Sequence, residues 1–132
     1  MNKDFSKVIF SELSYEISGI LFKTQNELGR FCNEKQYGDF LENLFKVNKI
    51  KFEREKELPI SFEGEQKGRN KADFLIDDKI ILELKAKRIL LREDYYQLKR
   101  YLEAMDLKLG LLVNFRDKYL KPKRILNSKV KI

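Results

Sequence analysis

The segment ADFLIDDKIILELKAK, Ala72 to Lys87, constrains the fold more than any other stretch of the chain. Two runs crowded with branched and aromatic residues, Ala72 to Ile76 and Lys79 to Ala86, flank the break Asp77-Asp78-Lys79, which reads as a hairpin turn. Strands this apolar belong at the centre of a sheet, covered on both faces. The same strands nevertheless carry Asp73, Glu83 and Lys85, charges that such a position ordinarily excludes.

Side chains alternate along a strand, so Glu83 and Lys85 share one face while Leu82, Leu84 and Ala86 take the other. Whether Asp73 joins them depends on the turn. An odd-length loop centred on Asp78 pairs position 73 with position 83; a two-residue loop separates them unless a bulge intervenes.

The rest of the chain supplies the covering layers. Leu13, Ile17, Ile20, Leu21 and Leu28 follow helical spacing from an N-cap at Ser11 to a stop at Gly29. Asn33 and Gln36 form a capping-box pattern, after which Tyr37, Phe40, Leu41, Leu44 and Phe45 mark a second helix starting near Glu34. Phe52 to Leu58 and Ile60 to Phe62 read as strands, with Pro59 implying an edge or bend. Leu91, Tyr95, Leu98, Leu102 and Met105 mark a third helix. Leu107 to Phe115 reads as a buried strand, and Arg124 to Leu126 as an edge strand. The sum is an α/β sandwich, one mixed sheet flanked by helices, in a single domain spanning 1–132.

Composition narrows the chemistry. The chain has no histidine, which removes Ser-His-Asp triads, Cys-His pairs and His-ligated metals, and the lone Cys32 cannot form an internal disulfide or a zinc cluster. No apolar run reaches membrane-spanning length, and no signal-like stretch follows Met1 to Asp4, so a cytoplasmic domain with no membrane partner is expected. A net charge of +7, with Arg116, Lys118, Lys121, Lys123, Arg124, Lys129 and Lys131 clustered late in the chain, favours a polyanionic partner such as nucleic acid.

If Asp73 and Glu83 converge, they repel by roughly 4 kcal/mol at 4 Å and an effective dielectric near 20, unless a cation lies between them. Oxygen ligands alone select a hard ion, Mg2+ or Mn2+. Such an ion polarises a phosphodiester and lowers the pKa of water, while Lys85 beside it orients that water and neutralises developing charge.

Asp73, a gap of about ten, then Glu83-x-Lys85 on consecutive strands resembles the PD-(D/E)XK nuclease superfamily and, within it, the GxxExxY group. NELG at Asn26 to Gly29, EKQY at Glu34 to Tyr37, QLKRYL at Gln97 to Leu102 and LKLGLLVNF at Leu107 to Phe115 carry the likeness further. The resemblance implies a restriction-endonuclease-like three-layer core. It also implies Asp73, Glu83 and the Leu84 carbonyl as metal ligands, Lys85 near the attacking water, Glu34 as a supporting helix acid, and Gln97 and Tyr101 beside the site. On their own spacing, Gln97 and Tyr101 lie a quarter turn from the apolar stripe and border the core.

The implied substrate is nucleic acid, with DNA the expectation, its backbone held by basic residues such as Lys87, Arg88, Arg92, Lys99 and Arg100. Two positions depart from the pattern: Phe31 stands where the group has its second glycine, and Asp94 where many relatives carry histidine. A nucleic-acid- or protein-binding module that keeps the fold without turnover is the competing expectation.

Overall fold

A computed structural model describes residues 9–130. Met1 to Asp4 and Lys131 of the basic tail lie outside them. The elements are α1 (Ser11–Leu28), α2 (Glu34–Val47), β1 (Phe52–Glu57), β2 (Lys71–Ile76), β3 (Ile80–Lys85), α3 (Arg92–Met105), β4 (Leu109–Asn114) and β5 (Lys123–Leu126). The five strands lie in sequence order. Every neighbouring pair is antiparallel except β3 and β4, which run parallel because α3 forms the crossover between them.

Helices α1 and α2 cover one face of the sheet. Ile17, Leu21, Leu41 and Phe45 pack there on Phe74, Ile80, Leu82 and Leu111. Helix α3 covers the other face, where Leu98 and Leu102 meet Ala72, Leu75, Ile81 and Leu112. Gly110 in β4 permits this close approach, since a Cβ there would come within 2.9 Å of three Leu98 side-chain atoms. The arrangement is the expected α/β sandwich, with the apolar hairpin β2–β3 at its centre.

The capping box of α2 forms as the sequence indicates: Gln36 N donates to Asn33 Oδ1 at 2.9 Å, and Asn33 N to Gln36 Oε1 at 2.8 Å. Two other readings need correction. Phe10, in the left-handed region at φ 52°, caps α1 in place of Ser11, which is already helical. Ile60 to Phe62 forms no strand; Pro59 cannot donate to a ladder, and Ile60 and Phe62 lie exposed in the connection from β1 to β2.

Candidate active site

Register decides whether the acids meet. Ile76 pairs with Ile80, Leu75 with Ile81 and Phe74 with Leu82, so the loop is the odd-length one, centred on Asp78. Asp77 and Asp78 both take positive φ (52° and 55°), a conformation Asp tolerates better than most residues. Continuing the register sets Asp73 opposite Glu83.

At that point the ladder opens. Leu84 N donates to Asp73 Oδ2 and Asp73 N to Glu83 Oε2, each at 2.7 Å, so side-chain carboxylates accept bonds that backbone carbonyls accept elsewhere in the hairpin. On the other side of β2, Arg54 pairs with Phe74 and Lys56 with Ala72, while the intervening Glu55 takes φ 53° and leaves the pairing. The alternation of β2 resets at the same place: Phe74 joins the α1/α2 core, yet Ala72 joins Leu75 on the α3 side. A local break in both strands thus turns Asp73 toward the notch.

Each carboxylate keeps one oxygen, Asp73 Oδ1 and Glu83 Oε1, with no protein hydrogen bond among the described residues. Glu83 is only 4% exposed. Burial first, and the Asp73 charge second, push its carboxyl up to about 8. Burial likewise raises Asp73, with the charges of Glu34 and Glu55 adding to it. Lys85 acts the other way on both acids. Its Nζ lies 3.8 Å from Asp94 Oδ1 on α3, an acid held more tightly by Lys87 Nζ at 2.9 Å. Burial pushes Asp94 up, but the Leu91 N–H and the two ammonium groups outweigh it and hold its carboxyl below the ordinary range.

Among the described residues no three His, Cys, Asp or Glu side chains form a ready-made metal cluster. The donor set nonetheless fits a hard divalent cation. A buried and a half-buried carboxylate, each with a free oxygen, keep raised pKa values even beside the Lys85 charge. A family model described as the PD-(D/E)XK nuclease superfamily matches residues 11–125.

The chain belongs to the PD-(D/E)XK nuclease superfamily. The crystal structure of SSO0001 is similar to this superfamily member, with a TM-score of 0.53 and 22% identity over 93% of this chain and 57% of that one. The chain therefore spans little more than half the length of SSO0001, and the likeness is one of fold. No curated protein matches.

The remaining residues with expected PD-(D/E)XK roles are unevenly placed. Glu34, at the first position of α2, lines with Asp73, Glu55 and Leu84 a cleft of about 150 Å3. Leu84 offers its N–H to Asp73 in this geometry. Asp94, Gln97 and Tyr101 share one face of α3. Tyr101 does not border the core as its spacing suggests. It is 7% exposed and packs with Ala72 and Leu98, and its phenol pKa is raised by burial and then by the Glu83 charge. Of the basic residues, Lys87 is engaged by Asp94, whereas Arg88, Arg92, Lys99 and Arg100 are exposed with no carboxylate partner among the described residues.

Three further contributors had no usable signal in the sequence. Glu55, opposite Asp73 in the β1–β2 register, lines the same cleft at the strand break. Arg54 reaches over the Phe74 ring to bond Asp39 and Glu42 across Gly38, whose missing Cβ gives it room. Buried Asn114 clamps Lys87 through its backbone N–H at 3.1 Å and carbonyl at 2.8 Å, fixing the end of β3 just beyond Lys85.

Proposed function

We propose that this chain is a metal-dependent nuclease of the GxxExxY group, one domain that hydrolyses phosphodiester bonds of nucleic acid, with DNA the preferred candidate. The observation that carries the reading is the pairing of half-buried Asp73 with buried Glu83, each acid with one oxygen free of protein partners and with the Lys85 charge acting to lower its pKa. Asp73, Glu83 and the Leu84 carbonyl are the residues that would hold Mg2+ or Mn2+. When bound, the ion supplies Lewis acidity toward the phosphate and a nucleophilic water at neutral pH.

The protein's own part is positioning. The Leu84 and Asp73 N–H groups fix the two carboxylates, and Glu34 adds negative charge at the notch. Lys85 orients the attacking water and offsets charge growing on the phosphate, its ammonium steadied by Asp94. Gln97 and Tyr101 line the α3 side. Arg88, Arg92, Lys99 and Arg100 hold the backbone, which gives salt-sensitive binding with little base reading. A lone cysteine and no internal disulfide suit the reducing cytoplasm.

A silent binding module on the same fold is favoured by one observation, the ion pair of Lys85 with Asp94, which gives the ammonium a carboxylate partner outside the acid pair. Incubating the protein and Lys85→Ala with single- and double-stranded DNA and RNA, with and without manganese, separates the two. Cleavage by the unaltered protein alone supports the nuclease. Equal cleavage by both refutes the site, and silence of both favours the binding module.

A further inference from the structure

Beside the acid notch, the link between α1 and α2 and the turn after β4 bring Arg30, Phe31 and Arg116 together. Phe31 is 75% exposed, although an aromatic of its size is normally buried. The Arg30 and Arg116 guanidiniums lie 5.2 and 5.3 Å from its ring centroid. Each arginine is pinned to the other's backbone: Arg30 Nε donates to the Arg116 carbonyl and Arg116 Nε to the Arg30 carbonyl, both at 2.9 Å. Arg116 Nη2 also reaches the Ala86 carbonyl, one residue beyond Lys85. Neither guanidinium meets a carboxylate among the described residues, so their positive charge is left for an outside anion.

Both supporting loops are braced. Tyr37 Oη donates to the Gly29 carbonyl at 2.6 Å and accepts the Cys32 N–H, while its ring stacks on Phe115 at 4.1 Å. Gln25 Nε2 donates to the carbonyls of Phe115 and Asp117, on either side of Arg116. An exposed ring held this firmly is preorganised for a flat partner. It lines a cleft of about 450 Å3 with Arg116 and Ala86, and that cleft shares Glu34 and Lys35 with the one containing Asp73.

We infer that Phe31 is a stacking platform for an unpaired base of the substrate strand, with Arg30 and Arg116 holding the flanking phosphates. This deepens the nuclease reading and rests on it. An exposed aromatic between cations suits single strands or frayed ends, because a base inside a duplex has no free face to offer. The platform therefore makes the preferred substrate single-stranded at the position next to the scissile phosphate.

The test measures binding by fluorescence anisotropy in the cleavage-silenced Lys85→Ala protein with manganese, using labelled single-stranded DNA, single-stranded RNA and a blunt duplex. Adding Phe31→Ala is expected to weaken single-strand binding by about tenfold or more. Duplex binding changes less than about twofold, because a duplex gives the ring no base to stack on. Phe31→Trp restores the single-strand affinity. Whichever of DNA and RNA shows the effect identifies the sugar. Equal losses on single strand and duplex, no loss, or no single-strand binding at the outset would each overturn the platform. Cleavage by the otherwise unaltered protein is scored separately. Phe31-dependent binding without any cleavage sinks the catalytic reading alone, and cleavage indifferent to Phe31 sinks the platform alone.

Discussion

Replacing Glu83 with glutamine should stabilise the metal-free protein, and the size of the gain should follow pH. The Glu83 carboxyl titrates near 8 in the fold, against 4.5 for a free side chain. Between those values the native state keeps a proton that the unfolded chain has released, so this group lowers stability as pH rises and costs nothing below 4.5. At 1.36 kcal/mol per unit the cost is about 3 kcal/mol at pH 7, levelling near 5 kcal/mol above pH 8. Burial leaves little solvent to screen it, since Glu83 is 4% exposed. The glutamine carbonyl can still accept the Asp73 N–H. Thermal melts of both proteins in chelator, from pH 4 to 9, should coincide at the acid end and diverge to roughly 10 °C by pH 7 for a chain of this length. A Glu83→Gln protein that melts lower, or by the same margin at every pH, would refute the reasoning.

Asp94→Ala should cost about 1–3 kcal/mol at pH 7, because it strands Lys87 and the Leu91 N–H. Its carboxyl is depressed in the fold, so that difference should fade as pH falls below the free value of 3.8, readable by urea titration at pH 7 and pH 3. Gly110→Ala should lose about 1–3 kcal/mol through overpacking against Leu98, measured by the same titration.

Much of the fold could be read from the sequence because its signals were local. The turn at Asp77-Asp78-Lys79 and the α2 boundary at Asn33 and Gln36 each lie within a few residues of their cause, whereas the hairpin register stayed open between an odd and a two-residue loop until the strand pairing decided it. The misreadings needed tertiary knowledge. Ile60 to Phe62 has strand-like composition but no neighbouring strand. Tyr101 lies off the apolar stripe of α3 yet is buried, because the reset in β2 puts Ala72 beneath it. In the site, the spacing of Asp73, Glu83 and Lys85 was visible in the letters. The placement of Glu55 and the engagement of Lys85 by Asp94 arise from a strand break and a helix docking that no short motif encodes.

Manganese binding, followed by electron paramagnetic resonance at pH 7 together with proton release, addresses the seat formed by Asp73 and Glu83. One Mn2+ should bind per chain and expel a proton from the acid pair. Both the binding and the proton release should vanish in Asp73→Ala and in Glu83→Gln. Undiminished manganese binding in either variant would contradict the claim that these two carboxylates grip a single divalent ion.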